Sequence, residues 1–87
     1  MKIILAVIRD TDETQLVEKL LEFGIRVTRM SSTGGFLHRG NVTLMIGVEE
    51  DKLEMVMDLV KKTCTVAEGF ENRAVLFVLN AIDFHKV

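Results

Sequence analysis

Proline, tryptophan and tyrosine are absent from this 87-residue sequence, and cysteine occurs once. The single cysteine, Cys64, excludes an internal disulfide. The formal net charge is only −2. This value argues against a nucleic-acid-binding protein, because phosphate binding normally needs a strongly basic face. The longest apolar stretches, such as residues 3–8, are too short to cross a bilayer, and no leader with a cleavage site opens the chain. We therefore expect a cytoplasmic protein without membrane insertion.

The amino-acid composition is that of a compact folded protein. Hydrophobic residues make up 48% of the sequence and charged residues 28%, so the chain has enough apolar side chains to bury a core. Its length predicts one domain over residues 1–87, with no room for a separate catalytic module. A domain this small buries a modest share of its surface, and association with further copies of itself is expected to add burial.

Hydrophobic periodicity predicts six elements in the order βαββαβ. An antiparallel sheet with both helices on one face gives an α+β, ferredoxin-like sandwich. Many unrelated functions occur on that scaffold, so function has to be argued from a site. Strands are predicted at residues 2–9, 25–31, 42–48 and 73–82, and helices at residues 10–23 and 49–64.

Both predicted helices are amphipathic. Residues 10–13 are expected to supply side-chain caps and early negative charge for the first helix, and Gly24 is expected to end it. Lys61 and Lys62 complement the dipole in the last turn of the second. The apolar faces predicted to pack in the core are Leu16, Val17, Leu20 and Leu21 on the first helix and Leu53, Val56, Met57, Val60 and Cys64 on the second.

Three functions known for this fold are argued against, because each requires residues that this chain lacks. An acylphosphatase needs a phosphate-binding loop after the first strand, where this chain has the acidic residues 10–13. A metal chaperone needs two thiols, whereas Cys64 is alone and is expected to pack in the core. An RNA-recognition module needs several aromatic side chains on its central strands, and only Phe77 qualifies. His38 and His85 are too separated to propose as a metal pair. We therefore expect neither an enzyme nor a cofactor.

The stretch at residues 31–41 has three glycines and no helical periodicity, so it is predicted to be a loop between two strands. The backbone N–H groups of its Gly34-Gly35 pair can approach an anion. With its surroundings the loop suits a phosphorylated purine; the alternative is a tight turn whose Phe36 and Leu37 pack onto a neighbouring subunit. The candidate phosphate partners are Arg26, Arg29 and Arg39, the candidate hydroxyl donors are Thr28 and Thr33, and the candidate partner of a purine edge is Asn41.

These residues resemble a known family, the PII-like cyclic di-AMP receptors. The hallmark of that family is repeated here as Thr33-Gly-Gly-Phe-Leu, then Gly40-Asn41, then Ile46-Gly47-Val48. An ordered set of motifs at near-constant spacing is far more specific than one short glycine motif. The similarity also covers residues 2–8 with Asp10 and Asp12, Arg26-Val-Thr28, and the terminal Phe77-Val and Phe84-His85.

The resemblance implies a homotrimer with one ligand site in each cleft between neighbours, and a non-enzymatic role in signal transduction toward a downstream protein. The implied ligand is cyclic di-AMP. The alternatives are another adenine nucleotide, or a protein-interaction scaffold that docks a partner through Phe36 and Leu37 without any nucleotide. The ligand-binding residues are expected to be Arg26, Thr28, Thr33, Gly35, Phe36, Leu37, Asn41, Gly47 and Phe77, with Gly35, Phe36 and Leu37 around an adenine, Asn41 on a base edge, and Gly47 and Phe77 in the cleft wall.

The chain departs from the family pattern at three places. The connection at residues 65–72 is shorter than usual in the family by roughly twenty residues, a length at which loops tend to be functional. Gly24 stands where an Asn is common, and Lys86 stands where a Gln is common near the ligand. At these two positions the ligand contacts are expected to differ from those of the family.

Overall fold

The computed structural model of the chain describes residues 1–30, 40–64 and 74–81. The predicted order βαββαβ is confirmed, with one added 3₁₀ turn. Asn41, assigned to the loop from sequence, is instead the first residue of a strand. The elements are β1 (Lys2–Arg9), α1 (Asp10–Glu22), β2 (Arg26–Met30), β3 (Asn41–Val48), the 3₁₀ turn Glu50–Lys52, α2 (Leu53–Thr63) and β4 (Ala74–Asn80).

The four strands form one antiparallel sheet in the order β2-β3-β1-β4. Strand β1 pairs with β3 and β4 along almost its whole length, as expected for the aliphatic run that was predicted to be central. Both helices pack on the same side of this sheet, so the ferredoxin-like α+β prediction is confirmed. Neither helix in the described ranges is long and apolar enough to span a bilayer.

The sequence predicted how α1 ends but not how its N-terminus is capped. The predicted side-chain cap is wrong, because the N-cap position is Arg9 and its side chain makes no capping hydrogen bond. The first turn contributes acidic residues instead, which suit the helix dipole. At the other end Gly24 has a φ of +72° and donates from its N–H to the Leu21 carbonyl, while Ile25 donates to the Leu20 carbonyl. This is a Schellman motif, and it ends the helix where Gly24 was predicted to end it.

The core lies between the helices and one face of the sheet. On α1, Leu16 and Leu20 are fully buried, but Leu21 is 59% exposed, so its predicted place in the core is wrong. The buried apolar face of α1 is therefore narrower than predicted, and Asp12 is buried beside it. The buried apolar side chains are Ile4, Ala6, Ile8, Leu16, Leu20, Ile25, Val42, Leu44, Ile46, Val48, Val56, Val60 and Cys64.

Candidate ligand-binding site

The sheet face opposite the helices is apolar and uncovered by any element of the described ranges. Because side chains alternate along a strand and paired residues share a face, the strand register defines its rows. One row runs Thr28, Met45, Leu5, Phe77 across the four strands. We call this surface the open face. Its most exposed apolar side chains, between 37% and 50% exposed, are Met30, Met45, Val75, Phe77 and Leu79.

A pocket of about 580 Å³ opens at one end of this face, where β2 begins and β3 ends. The volume is within the range of small-molecule sites, which is roughly 300–1,000 Å³. Its lining combines apolar walls with a few polar groups, the usual composition of a ligand site. The apolar lining residues are Met1, Ile3, Ile25, Met45 and Val48, the polar ones are Arg26, Thr28, Glu49 and Lys52, and Gly24 and Gly47 complete the wall.

The alternation along β2 decides which of its polar residues reach the pocket. Arg26 and Thr28 share the open face and line the pocket. Arg29 pairs in register with the buried Leu44, so its side chain lies on the helix side. There its Nε lies 2.9 Å from a carboxylate oxygen of Glu13. Of these two arginines of β2, both candidate phosphate partners from sequence, only Arg26 is therefore placed in the pocket.

Gly47 forms the part of the wall between Arg26 and Ile3, with which it pairs in register. A Cβ at this position would lie 3.5 Å from the Cε atom of Met1. The absence of a side chain on Gly47 therefore leaves space beside Met1. Since a glycine also exposes its backbone, a ligand can approach the strand closely at this point.

The other predicted site residues are not brought to this pocket by one subunit. Asn41 starts β3, opposite Arg9, and six residues of extended strand put it about 20 Å from Gly47. Phe77 is on the open face and on β4, next to β1, but it is not among the residues that line the pocket. The predicted site residues that lie outside the described ranges are Thr33, Gly35, Phe36 and Leu37.

Sequence reasoning missed several residues that line the pocket, among them Met1, Glu49 and Lys52. They are far apart in sequence and belong to no motif. The signal that could have found them is strand pairing: Arg26 pairs with Gly47, so residues that follow the end of β3 must lie near the start of β2. Only the register of the sheet provides that proximity.

The chemistry of the remaining reactive groups is limited. Burial raises the pKa of the Cys64 thiol to about 11, and the negative charge of Asp12 acts in the same direction. A thiol held neutral in this way is a poor nucleophile. The predicted core position of Cys64 is confirmed by its burial. In the part of the chain that the structure describes, no group of three or more His, Cys, Asp or Glu side chains is arranged to hold a metal ion.

Comparison with known proteins shows the family of the chain. The model of the cyclic-di-AMP receptor family matches residues 1–79. The fold is also similar to the crystal structure of a functionally unknown protein from Pediococcus pentosaceus, with a TM-score of 0.79 and 32% sequence identity over 99% of this chain and 96% of that one. A receptor family implies a binding protein rather than an enzyme. The family predicted from the glycine-loop motif is thereby confirmed, and the chain belongs to the PII-like cyclic-di-AMP receptor family.

Proposed function

We propose that this protein is a non-enzymatic signal-transduction protein that binds cyclic di-AMP in clefts between the subunits of a homotrimer. The observation that carries the proposal is the pocket at the end of the open face, which brings together Arg26, Thr28 and Gly47. A guanidinium and a hydroxyl can donate to a phosphodiester. The apolar wall, which includes Ile3 and Met45, suits the face of an adenine ring.

The homotrimer is supported by the open face. Contiguous exposed apolar surface on a small protein marks an interaction site, and the open face extends across all four strands. A neighbouring subunit seated against it would also account for Asn41, which is too far from the pocket within one subunit. In this arrangement Phe77 and the loop residues Thr33, Gly35, Phe36 and Leu37 of a neighbour close the cleft over the ligand.

The proposed setting is the cytoplasm, with a downstream protein as the target of the signal. The net charge of −2 gives no reason to propose nucleic acid as a partner. Signalling would then depend on how ligand binding alters the surfaces that the trimer presents. No reaction and no cofactor form part of the proposal.

A thermal-shift panel of nucleotides tests the choice of ligand. Cyclic di-AMP at about a hundredfold excess over its dissociation constant is expected to stabilise the protein by about 2.7 kcal/mol, because it binds only the folded trimer. Cyclic di-GMP is the matched control, since it has the same phosphodiester ring and different bases. A larger shift with ATP or AMP than with cyclic di-AMP would contradict the proposed ligand, and no shift with any nucleotide would favour a scaffold.

A further inference from the structure

Lys52 is a pocket residue that no motif of the sequence singles out. It is the last residue of the 3₁₀ turn Glu50–Lys52 and the N-cap of α2. Its backbone N–H donates to the Glu49 carbonyl at 3.0 Å, which closes the turn and fixes where the side chain begins. Lys52 lines the same pocket as Arg26. The two basic residues thus line one cavity from different elements, Arg26 on β2 and Lys52 in the turn after β3.

Helix stability gives no reason for a cation at this position. Positive charge at a helix N-terminus opposes the helix dipole, whereas the acidic Glu50 and Asp51 just before it are favourable there. Within the described ranges Lys52 forms no salt bridge that would offset this. Lys61 and Lys62, in contrast, lie in the last turn of α2, where the dipole favours them. The cost of placing Lys52 at the N-terminus points to a role in the pocket.

The charges of the pocket lining define what such a role can be. Among the side chains of the lining, Arg26 and Lys52 are positive and Glu49 is negative, which gives a side-chain net charge of +1, and the two cations are separate groups. Cyclic di-AMP carries two phosphodiesters, each with one negative charge, on opposite sides of its ring. Two cations on separate elements can each contact one of them. An ammonium on a long flexible stem suits the second, because it acts as a point charge that needs no fixed geometry.

We infer that Lys52 is the second phosphate contact of the ligand site, engaging the phosphodiester that Arg26 does not. The inference rests on the proposed function and deepens it. It makes the pair Arg26 and Lys52 the feature that favours a ligand with two separated phosphates over a mononucleotide with one. Glu49, beside Lys52, lowers the net charge of the pocket and so keeps anions with no apolar part from binding strongly.

The test is calorimetric titration of cyclic di-AMP into the trimer at several salt concentrations. Lys52→Met is expected to bind about tenfold more weakly than the wild type. The slope of log affinity against log salt is expected to become shallower, because one ionic contact is lost. Lys52→Arg keeps the charge and is expected to stay within about threefold of the wild type. Lys61→Met removes the same charge from the far end of α2 and is expected to leave both affinity and slope unchanged.

The possible outcomes distinguish the role of Lys52 from the proposed function. If Lys52→Met binds with wild-type affinity and salt slope while the wild type binds well, the role of Lys52 is overturned and the proposed function stands. If Lys52→Arg loses as much affinity as Lys52→Met, the effect is one of shape and a phosphate contact is contradicted. If the wild type itself does not bind cyclic di-AMP, the proposed function fails and this inference fails with it. Circular dichroism of each variant separates a lost contact from a lost fold.

Discussion

Replacement of Arg26 by alanine is expected to weaken cyclic di-AMP binding about a hundredfold. Arg26 lines the pocket at the start of β2, opposite Gly47, and forms no salt bridge within the described ranges. Its guanidinium is therefore available to a phosphodiester, and hydrogen bonds to charged groups contribute roughly 1.5–3 kcal/mol each. Isothermal titration calorimetry of the variant measures the loss directly. The side chain is exposed, so its removal is expected to leave the fold intact.

The matched control is Arg29→Ala, three residues along the same strand. Its guanidinium lies on the helix side of the sheet, where it pairs with Glu13 at 2.9 Å. A surface pair of this kind contributes at most about 1 kcal/mol to stability, so this variant is expected to bind cyclic di-AMP as the wild type does. Equal losses in Arg26→Ala and Arg29→Ala would show that net charge, and not the pocket, determines affinity.

Replacement of Leu5 by glutamate is expected to dissociate the proposed homotrimer into monomers. Leu5 lies at the centre of the open face, between Met45 on β3 and Phe77 on β4. In a monomer the new carboxylate remains hydrated, so the fold is expected to survive. In the proposed trimer the open face would be buried against a neighbour, and an unpaired buried carboxylate costs several kcal/mol per subunit. Light scattering should report a mass of one subunit in place of three.

Leu21→Glu is the control for this change, because it introduces the same charge on a different exposed leucine. Leu21 is 59% exposed and lies on α1, on the helix side of the sheet. We expect this variant to remain a trimer and to bind cyclic di-AMP. A monomeric Leu21→Glu together with a trimeric Leu5→Glu would place the subunit interface on the helices and contradict the use of the open face. A monomeric Leu5→Glu should also lose ligand affinity, since the proposed cleft is formed by two subunits.

The parts of the fold that could be predicted from sequence are those in which local pattern and packing agree. Strand β1 has the predicted bounds, because its aliphatic run can only be buried in the middle of a sheet. Helix α1 ends at Glu22, two residues before Gly24, because glycine adopts the left-handed conformation needed at that position with the least strain. Cys64 is buried because it continues the face that Val56 and Val60 begin.

Where prediction failed, the missing information was tertiary. Leu21 fits the helical period as well as Leu20 does, and only the position of α1 on the sheet decides which of the two is buried. The N-cap at Arg9 follows from the strand running directly into the helix, which leaves no residue to cap it with a side chain. These are choices among locally equivalent options, and sequence pattern alone does not distinguish them.

The residues of the candidate site also differ in whether they could be predicted from sequence. Arg26, Thr28 and Gly47 could be named from the motif, and the pocket brings these three together. Lys52 and Glu49 could not, because their proximity to Arg26 depends on the pairing of β2 with β3. Asn41 was named with the others, but its separation from the pocket within a single subunit only emerges from the strand register. A motif identifies the residues of a site and does not show which subunit provides them.

The most direct test of the proposed function is calorimetric titration of the purified wild-type protein with cyclic di-AMP. The mass of the protein is determined by light scattering in the same buffer. We expect a particle of three subunits that binds one cyclic di-AMP per subunit, with an affinity that falls as salt is raised. A well-folded trimer that releases no heat with cyclic di-AMP up to high micromolar concentration would contradict it, as would saturable binding by a monomer.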